Sequence, residues 1–209
     1  MLEVRPLIDP GDPQLLRFLA RCAEEGIINN SSLKAIKFSQ MQGESGCLLG
    51  VFKDEAMISM AGAHPLTGDF QGAFRVLFRG ATLPEWRNHF PFLNKDHMNS
   101  LPFSVLLPHL ILWSLKRKAQ KLVITTNVDF KTTKTSNTHR LMQNLEKRGL
   151  VTFWQECELF NTQQGFWELN LLEYRKRSLE FAQRQSLALP GEWIHNDRFF
   201  ELVAFSNLR

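Results

Sequence analysis

Apolar and polar positions alternate with a period of two along Phe74 to Leu83, where Phe74, Val76, Phe78 and Leu83 interleave with Arg75, Arg79 and Thr82. This is the pattern of a strand with one buried face. Gly80 interrupts it and predicts a bulge or a close backbone approach, and Pro84 ends the ladder because it has no N–H to contribute. Upstream, Leu2 to Leu7 alternates like a short first strand. Asp12-Pro13 then gives an N-cap followed by proline at the first helical position. The helix after it should carry an apolar stripe of Leu15, Leu16, Leu19, Ala20 and Ala23 and stop at Gly26. Ser31 or Ser32 can cap a short helix from Leu33 to Phe38. Gly46 to Phe52 and Glu55 to Ala63 are apolar runs separated by Lys53-Asp54, the spacing of a hairpin. A second turn, Pro65 to Gly72, leads into the strand at Phe74, so three consecutive antiparallel strands are expected.

Beyond Pro84 the pattern changes. His89 to Phe103 reads as an inserted loop, with Pro91, Asn99 and Pro102 as breakers. A helix resumes near Ser104 with Leu106, Leu107, Leu110, Ile111, Trp113 and Leu115 on a wide apolar face and Lys116-Arg117-Lys118 in its last turn, where cations complement the dipole. Pro108 fits that helix only in or near a first turn. Leu122 to Thr126 is a short apolar strand, so residues 74 to 126 form a βαβ unit with parallel strands and a right-handed crossover. Thr135-Ser136-Asn137 caps a helix carrying Leu141, Met142 and Leu145 that ends at Gly149, and Val151 to Phe160 with Gly165 to Leu171 makes a closing hairpin. Leu172 to Gln185 is an arginine-rich helix, broken at Pro190-Gly191 before Trp193 to Phe205.

Composition narrows the class. The 209 residues, 44% hydrophobic, suit one large domain or a domain of residues 1–171 with an extension of 172–209 that packs on it or at a dimer interface. A net charge of +4 and a pI near 9.1 fit cofactor phosphates, nucleic acid or an ordinary solvated surface alike. Cys22, Cys47 and Cys157 lack framework or metal spacing, which implies reduced thiols and a cytoplasmic protein. Val105 to Leu115 is too short to span a bilayer. The sequence contains no HExxH, CxxC, Walker loop or GxSxG motif, so metal-hydrolase, redox and NTPase readings have no local support.

The segment from Thr82 to Phe92 resembles the pyrophosphate-loop signature of the GCN5-related N-acetyltransferases (GNAT), a strand ending in V-x-P-E-[YW]-R-x-x-G-x-G/A before a helix. Pro84, Glu85, Trp86 and Arg87 match, while Phe90 and Phe92 stand at the two glycine positions. A second segment, Asn127 plus Ser136 to Leu150, is similar to the family's N-x-x-A-x-x-L-Y-x-K-x-G-F helix through Asn137, Lys147 and Gly149. The tyrosine that serves many members as general acid falls here on Asn144 or Leu145, neither of which can protonate a thiolate.

The resemblance covers residues 2 to 171. It implies an α/β acyl-CoA N-acyltransferase (GNAT-like) fold: a mixed central sheet with antiparallel N-terminal strands, a parallel splayed pair and a C-terminal hairpin, flanked by helices. It also implies acetyl-CoA as cosubstrate with no metal, and a primary amine on a small molecule or a protein as acceptor. The pantetheine arm would lie along Thr82 and Leu83, with Arg87 and Asn88 beside the phosphates and Ser104, Asn127 and Asn137 as further cofactor contacts. Arginine supplies a planar donor fork for phosphate. His64 and Glu85 are the candidate catalytic residues, since an ammonium nucleophile must lose a proton, and Arg79 can bind an acidic substrate or an oxyanion. The alternative is a non-catalytic relative that uses the fold for binding, suggested by the phenylalanines at the glycine positions and the absent tyrosine. A membrane is not an expected partner, and a homodimer is open. A nucleic-acid partner on Arg175, Lys176, Arg177 and Arg184 is the weakest reading.

Overall fold

The structure is a computed structural model in which residues 2–27, 45–87, 101–128, 137–159, 162–185, 189–198 and 200 are described. The expected helix at Leu33–Phe38 and most of the expected loop after Arg87 lie outside these residues. Two compact units emerge, residues 1–65 with 76–117, and residues 66–75 with 118–209.

The first unit begins with strand β1 (Leu2–Pro6) and helix α1 (Pro13–Glu24). Asp12 caps the helix by accepting from Gln14 N at 2.7 Å and Leu15 N at 3.4 Å. The face that α1 buries is Leu15, Phe18, Leu19 and Cys22, whereas Leu16 is 51% exposed and Ala20 is exposed. This corrects the expected stripe: at 100° per residue, positions 15, 18, 19 and 22 fall on one line, and 16 and 20 turn away from it. Strands β2 (Cys47–Lys53) and β3 (Ala56–Pro65) pair antiparallel from Lys53↔Ala56, so the hairpin loop is Asp54-Glu55, one residue later than expected. Both loop residues have positive φ, 49° and 67°, as a type I′ turn requires. The core of this unit gathers Leu7, Phe18, Leu48, Phe52, Met57, Met60, Phe78 and Ala81.

The helix after the Pro84 corner is already helical at Leu101, a few residues before the expected start. It runs as a π turn over Pro102–Leu106 and then as α3 (Leu107–Lys116), α2 being the single turn Pro84–Arg87. Leu107 N reaches back to Pro102 O, a five-residue step. That wider turn explains how Pro108 is accommodated: it sits in the first turn of the α-helical part, just after the loosened ladder, where its missing N–H and bulky ring cost least.

The second unit contains β5 (Lys121–Asn127), α4 (Asn137–Glu146), β6 (Val151–Leu159), β7 (Thr162–Leu169), α5 (Leu171–Gln185) and α6 (Gly191–His195). β7 pairs antiparallel with both β5 and β6, and a register shift lies between Phe153 and Gln155. The extension is held by aromatic contacts: the Trp193 ring meets Tyr174 at 5.6 Å and Phe200 at 4.9 Å, edge to face. Arg175 joins it through Nε to Trp193 O at 3.1 Å and Nη2 to Asp197 at 2.6 Å.

Strand β4 (Ala73–Thr82) runs through both units, and the sheet has seven strands in the order β1-β2-β3-β4-β5-β7-β6. β4 and β5 are parallel, as the βαβ pattern requires, with paired residues Ala73–Arg75 and Lys121–Val123. The ladder stops there although β4 continues to Thr82 and β5 to Asn127. Among the described residues no helix is long and apolar enough to cross a membrane.

Candidate functional site

The second half of β4 is distorted. Phe78 and Ala81 both enter the core against α1 although they are three residues apart, an odd spacing that a regular strand would send to opposite faces. The backbone makes the change with positive φ at Leu77 (59°) and Arg79 (53°). Such conformations cost non-glycine residues about 1–3 kcal/mol each and cluster at functional sites. A Cβ at Gly80 would stand a tight 3.2 Å from Leu77 O, the close backbone approach that the sequence suggests. Arg79 is half-buried, and burial holds its guanidinium below its ordinary pKa.

At the end of β4, Ser59 Oγ donates to Ala81 O at 2.9 Å, so in the buried Ser59–Thr82 pair, also 2.9 Å, the Thr82 hydroxyl is the donor. Leu83 N donates to Ile58 O at 3.1 Å. Arg87 Nε donates to Thr82 O at 3.2 Å, which anchors one side of an exposed guanidinium with no ion pair among the described residues. Glu85 pairs with Arg21 of α1 at 2.7 Å. Burial pushes the Cys22 thiol up to about 11. With Arg21 matched by Glu85, Arg87 leaves the corner at Pro84 one net positive charge among the described residues. The exposed Arg87 fork and this charge fit a ligand that carries several phosphates.

His64 closes β3. Its Nδ1 lies 2.9 Å from Pro65 O. A carbonyl only accepts, so Nδ1 carries a proton, and in the neutral form of the ring the lone pair is on Nε2. The ring stands edge-on to Phe78 at 4.8 Å. The Glu85 carboxylate is held by Arg21.

In the second unit, the carboxyl end of β5 carries a buried polar network. Trp167 Nε1 donates to Thr126 Oγ1 at 3.0 Å, and Thr126 Oγ1 lies 3.0 Å from His139 Nδ1. All three side chains are at most 6% exposed. Gly165 makes the room: a Cβ there would be 3.3 Å from His139 Cε1, Thr126 Oγ1 and Val128 Cγ2. Asn127 Oδ1 accepts from Gln164 Nε2. Asn137 opens α4. Ser104 lies inside the π turn and is 3% exposed, and Asn88, with Phe90 and Phe92, lies outside the described residues.

No family model and no curated protein matches the sequence. Solved structures do match. A protein from Desulfovibrio desulfuricans assigned to the GNAT acetyltransferase family superposes with a TM-score of 0.55 at 15% identity, covering 81% of this chain and 98% of that one. The fold is that of the GNAT acetyltransferases. A GNAT-family acetyltransferase from Streptococcus pneumoniae gives 0.51 at 13% identity over 80% of this chain and 98% of that one. The GNAT domain of PAT from S. lividans gives 0.51 at 10% over 80% and 90%. At these identities the likeness establishes the GNAT fold, with its mixed sheet and parallel β4–β5 pair.

Thr82, Leu83, Glu85 and Arg87 thus sit together at one corner of the first unit, with His64 and Arg79 on the same unit's strands, while Asn127 and Asn137 belong to the second. Sequence reasoning missed Arg21, which is 64 residues from its partner Glu85 and left no local signal. It also missed His139. Its spacing of three from Met142 on the apolar face of α4, a polar residue at a core position, could have found it.

Proposed function

We propose that this protein transfers an acetyl group from acetyl-CoA to a primary amine by direct attack within a ternary complex. The observation that carries the reading is the parallel ladder of β4 and β5, which ends at Arg75 and Val123, followed along β4 by a strained bulge and the Pro84-Glu85-Trp86-Arg87 corner. Arg87 would hold phosphate oxygens. The Leu83 N–H is already bonded to Ile58 O, so what Thr82 and Leu83 would offer the pantetheine arm is the second lone pair of each carbonyl. The amine nitrogen forms the new C–N bond, the C–S bond breaks, and the leaving sulfur takes up a proton. His64 Nε2 is the group best suited to remove the ammonium proton, directly or through water. Arg79, partly desolvated, suits an oxyanion or an acidic group on the acceptor.

The test is formation of free CoA and acetylated product, followed by mass spectrometry, with a panel of primary amines. His64→Gln should lower turnover by roughly 10²-fold and remove the acidic limb of the pH profile. A wild-type protein that binds acetyl-CoA but acetylates none of the amines, with an unchanged profile in the variant, sinks the catalytic assignment.

A further inference from the structure

Helix α3 is nearly enclosed: seven of its ten residues are buried. Its accessible strip is His109, Trp113 and Lys116, continued by Arg117 at the C-cap, all within the first unit. At 100° per residue these four positions fall inside an arc of about 100°. The strip has no acidic neighbour in sequence, since none occurs from Leu101 to Gln120. Burial holds the His109 pKa below its ordinary 6.5, so near pH 7 the ring is neutral and the charges on the strip are those of Lys116 and Arg117.

Arg117 is fixed by its own helix. Its guanidinium carbon lies 4.2 Å over the Trp113 ring, and Nη1 donates to Trp113 O at 3.3 Å. The helix dipole favours a cation at this end, but a mobile side chain would serve it equally, and this one is held by a stack. No carboxylate pairs with Arg117 among the described residues, and Nη2 makes no hydrogen bond there. Of the guanidinium nitrogens only Nε is buried without a partner, so Nη2 reaches solvent. A cation whose orientation is already set loses little freedom when an anion arrives, and its two Nη groups present a planar fork.

We propose that this strip docks an acidic peptide segment of a partner protein, with one carboxylate received end-on by Nη1 and Nη2 of Arg117 and a second at Lys116. Nucleic acid is the competing polyanion. Its bases would contend with the guanidinium for the Trp113 face, whereas a carboxylate takes the guanidinium edge and leaves the stack in place. Charge complementarity and the occupied indole face together favour the peptide. The surface needs no acyl-CoA, so its failure and that of the acyl-transfer reading are read separately.

The test is ¹H–¹⁵N NMR titration of the full chain with an acetylated, amidated Glu-Glu-Leu-Glu-Glu peptide, its Gln-Gln-Leu-Gln-Gln counterpart and oligothymidylate. Expected are saturable shifts of the Trp113 indole N–H and the Arg117 Nε–H with the acidic peptide, shrinking as salt rises, and no saturable response to the glutamine peptide. Arg117→Gln should weaken the acidic peptide roughly tenfold, the loss of a charge-assisted fork. Lys116→Gln, at an exposed position, should weaken it roughly threefold. No saturable response to the acidic peptide, saturation by the glutamine peptide, tighter binding of oligothymidylate, or an affinity unaltered in either variant overturns the proposal.

Discussion

Replacing Thr126 by valine removes one oxygen and keeps the shape of the side chain, and two buried groups depend on that oxygen. Trp167 Nε1 and His139 Nδ1 each lie 3.0 Å from it. Trp167 is 2% exposed and His139 6%, so neither can turn to water in exchange. A buried polar group that loses its partner costs about 1–3 kcal/mol. Valine adds little apolar gain, so a loss of about 3 kcal/mol is expected for the pair. For a chain of this size that is a fall in Tm of about 6–12 °C. Thr126→Ser keeps both hydrogen bonds and should lose only about 1 kcal/mol, the missing methyl. Reversible urea unfolding of the three proteins, with Tm from calorimetry, measures this. A Thr126→Val protein within about 0.5 kcal/mol of wild type would refute the reasoning, because the network would then contribute nothing net.

Three further outcomes follow from the same geometry. Gly62→Ala places a Cβ against the Phe78 ring and 2.6 Å from Cys47 O, so it should destabilise by about 3 kcal/mol, at the upper end for overpacking; a Tm unchanged by calorimetry would contradict the packing of β3 on Phe78. Burial lowers the pKa of His109 below its ordinary 6.5, so the unfolded chain binds the extra proton first and stability falls as pH drops below about 6.5; His109→Gln should flatten that slope in urea midpoints taken against pH. Cys22 and Cys47 are buried with thiols pushed up to about 11, so at pH 8 a disulfide reagent should titrate Cys157 first, and three equally fast thiols would show the core to be open.

The legible part of this chain was its element order. Alternation along β4, the Asp12-Pro13 start, the apolar runs of β2 and β3 and the βαβ step at 74–126 depend on local chemistry, and the structure reproduces each. The boundary errors have local causes too. The hairpin loop moved by one residue because Asp54 and Glu55, rather than Lys53, take the left-handed conformation, and the early helix start at Leu101 follows from a π turn that periodicity cannot reveal. The site was readable only where it is contiguous, as at Thr82 to Arg87. Arg21 meets Glu85, and His139 meets Thr126, through packing between segments distant in sequence. The tautomer of His64 is likewise set by a carbonyl whose direction only the folded turn defines.

Isothermal titration of acetyl-CoA into the purified protein tests the central claim most directly. The account predicts one-to-one binding at micromolar concentration that weakens at least roughly tenfold in Arg87→Ala, the loss of one charge-assisted contact, while the unfolding transition is retained. No heat with acetyl-CoA at millimolar concentration would contradict it and leave a GNAT fold that serves a different purpose.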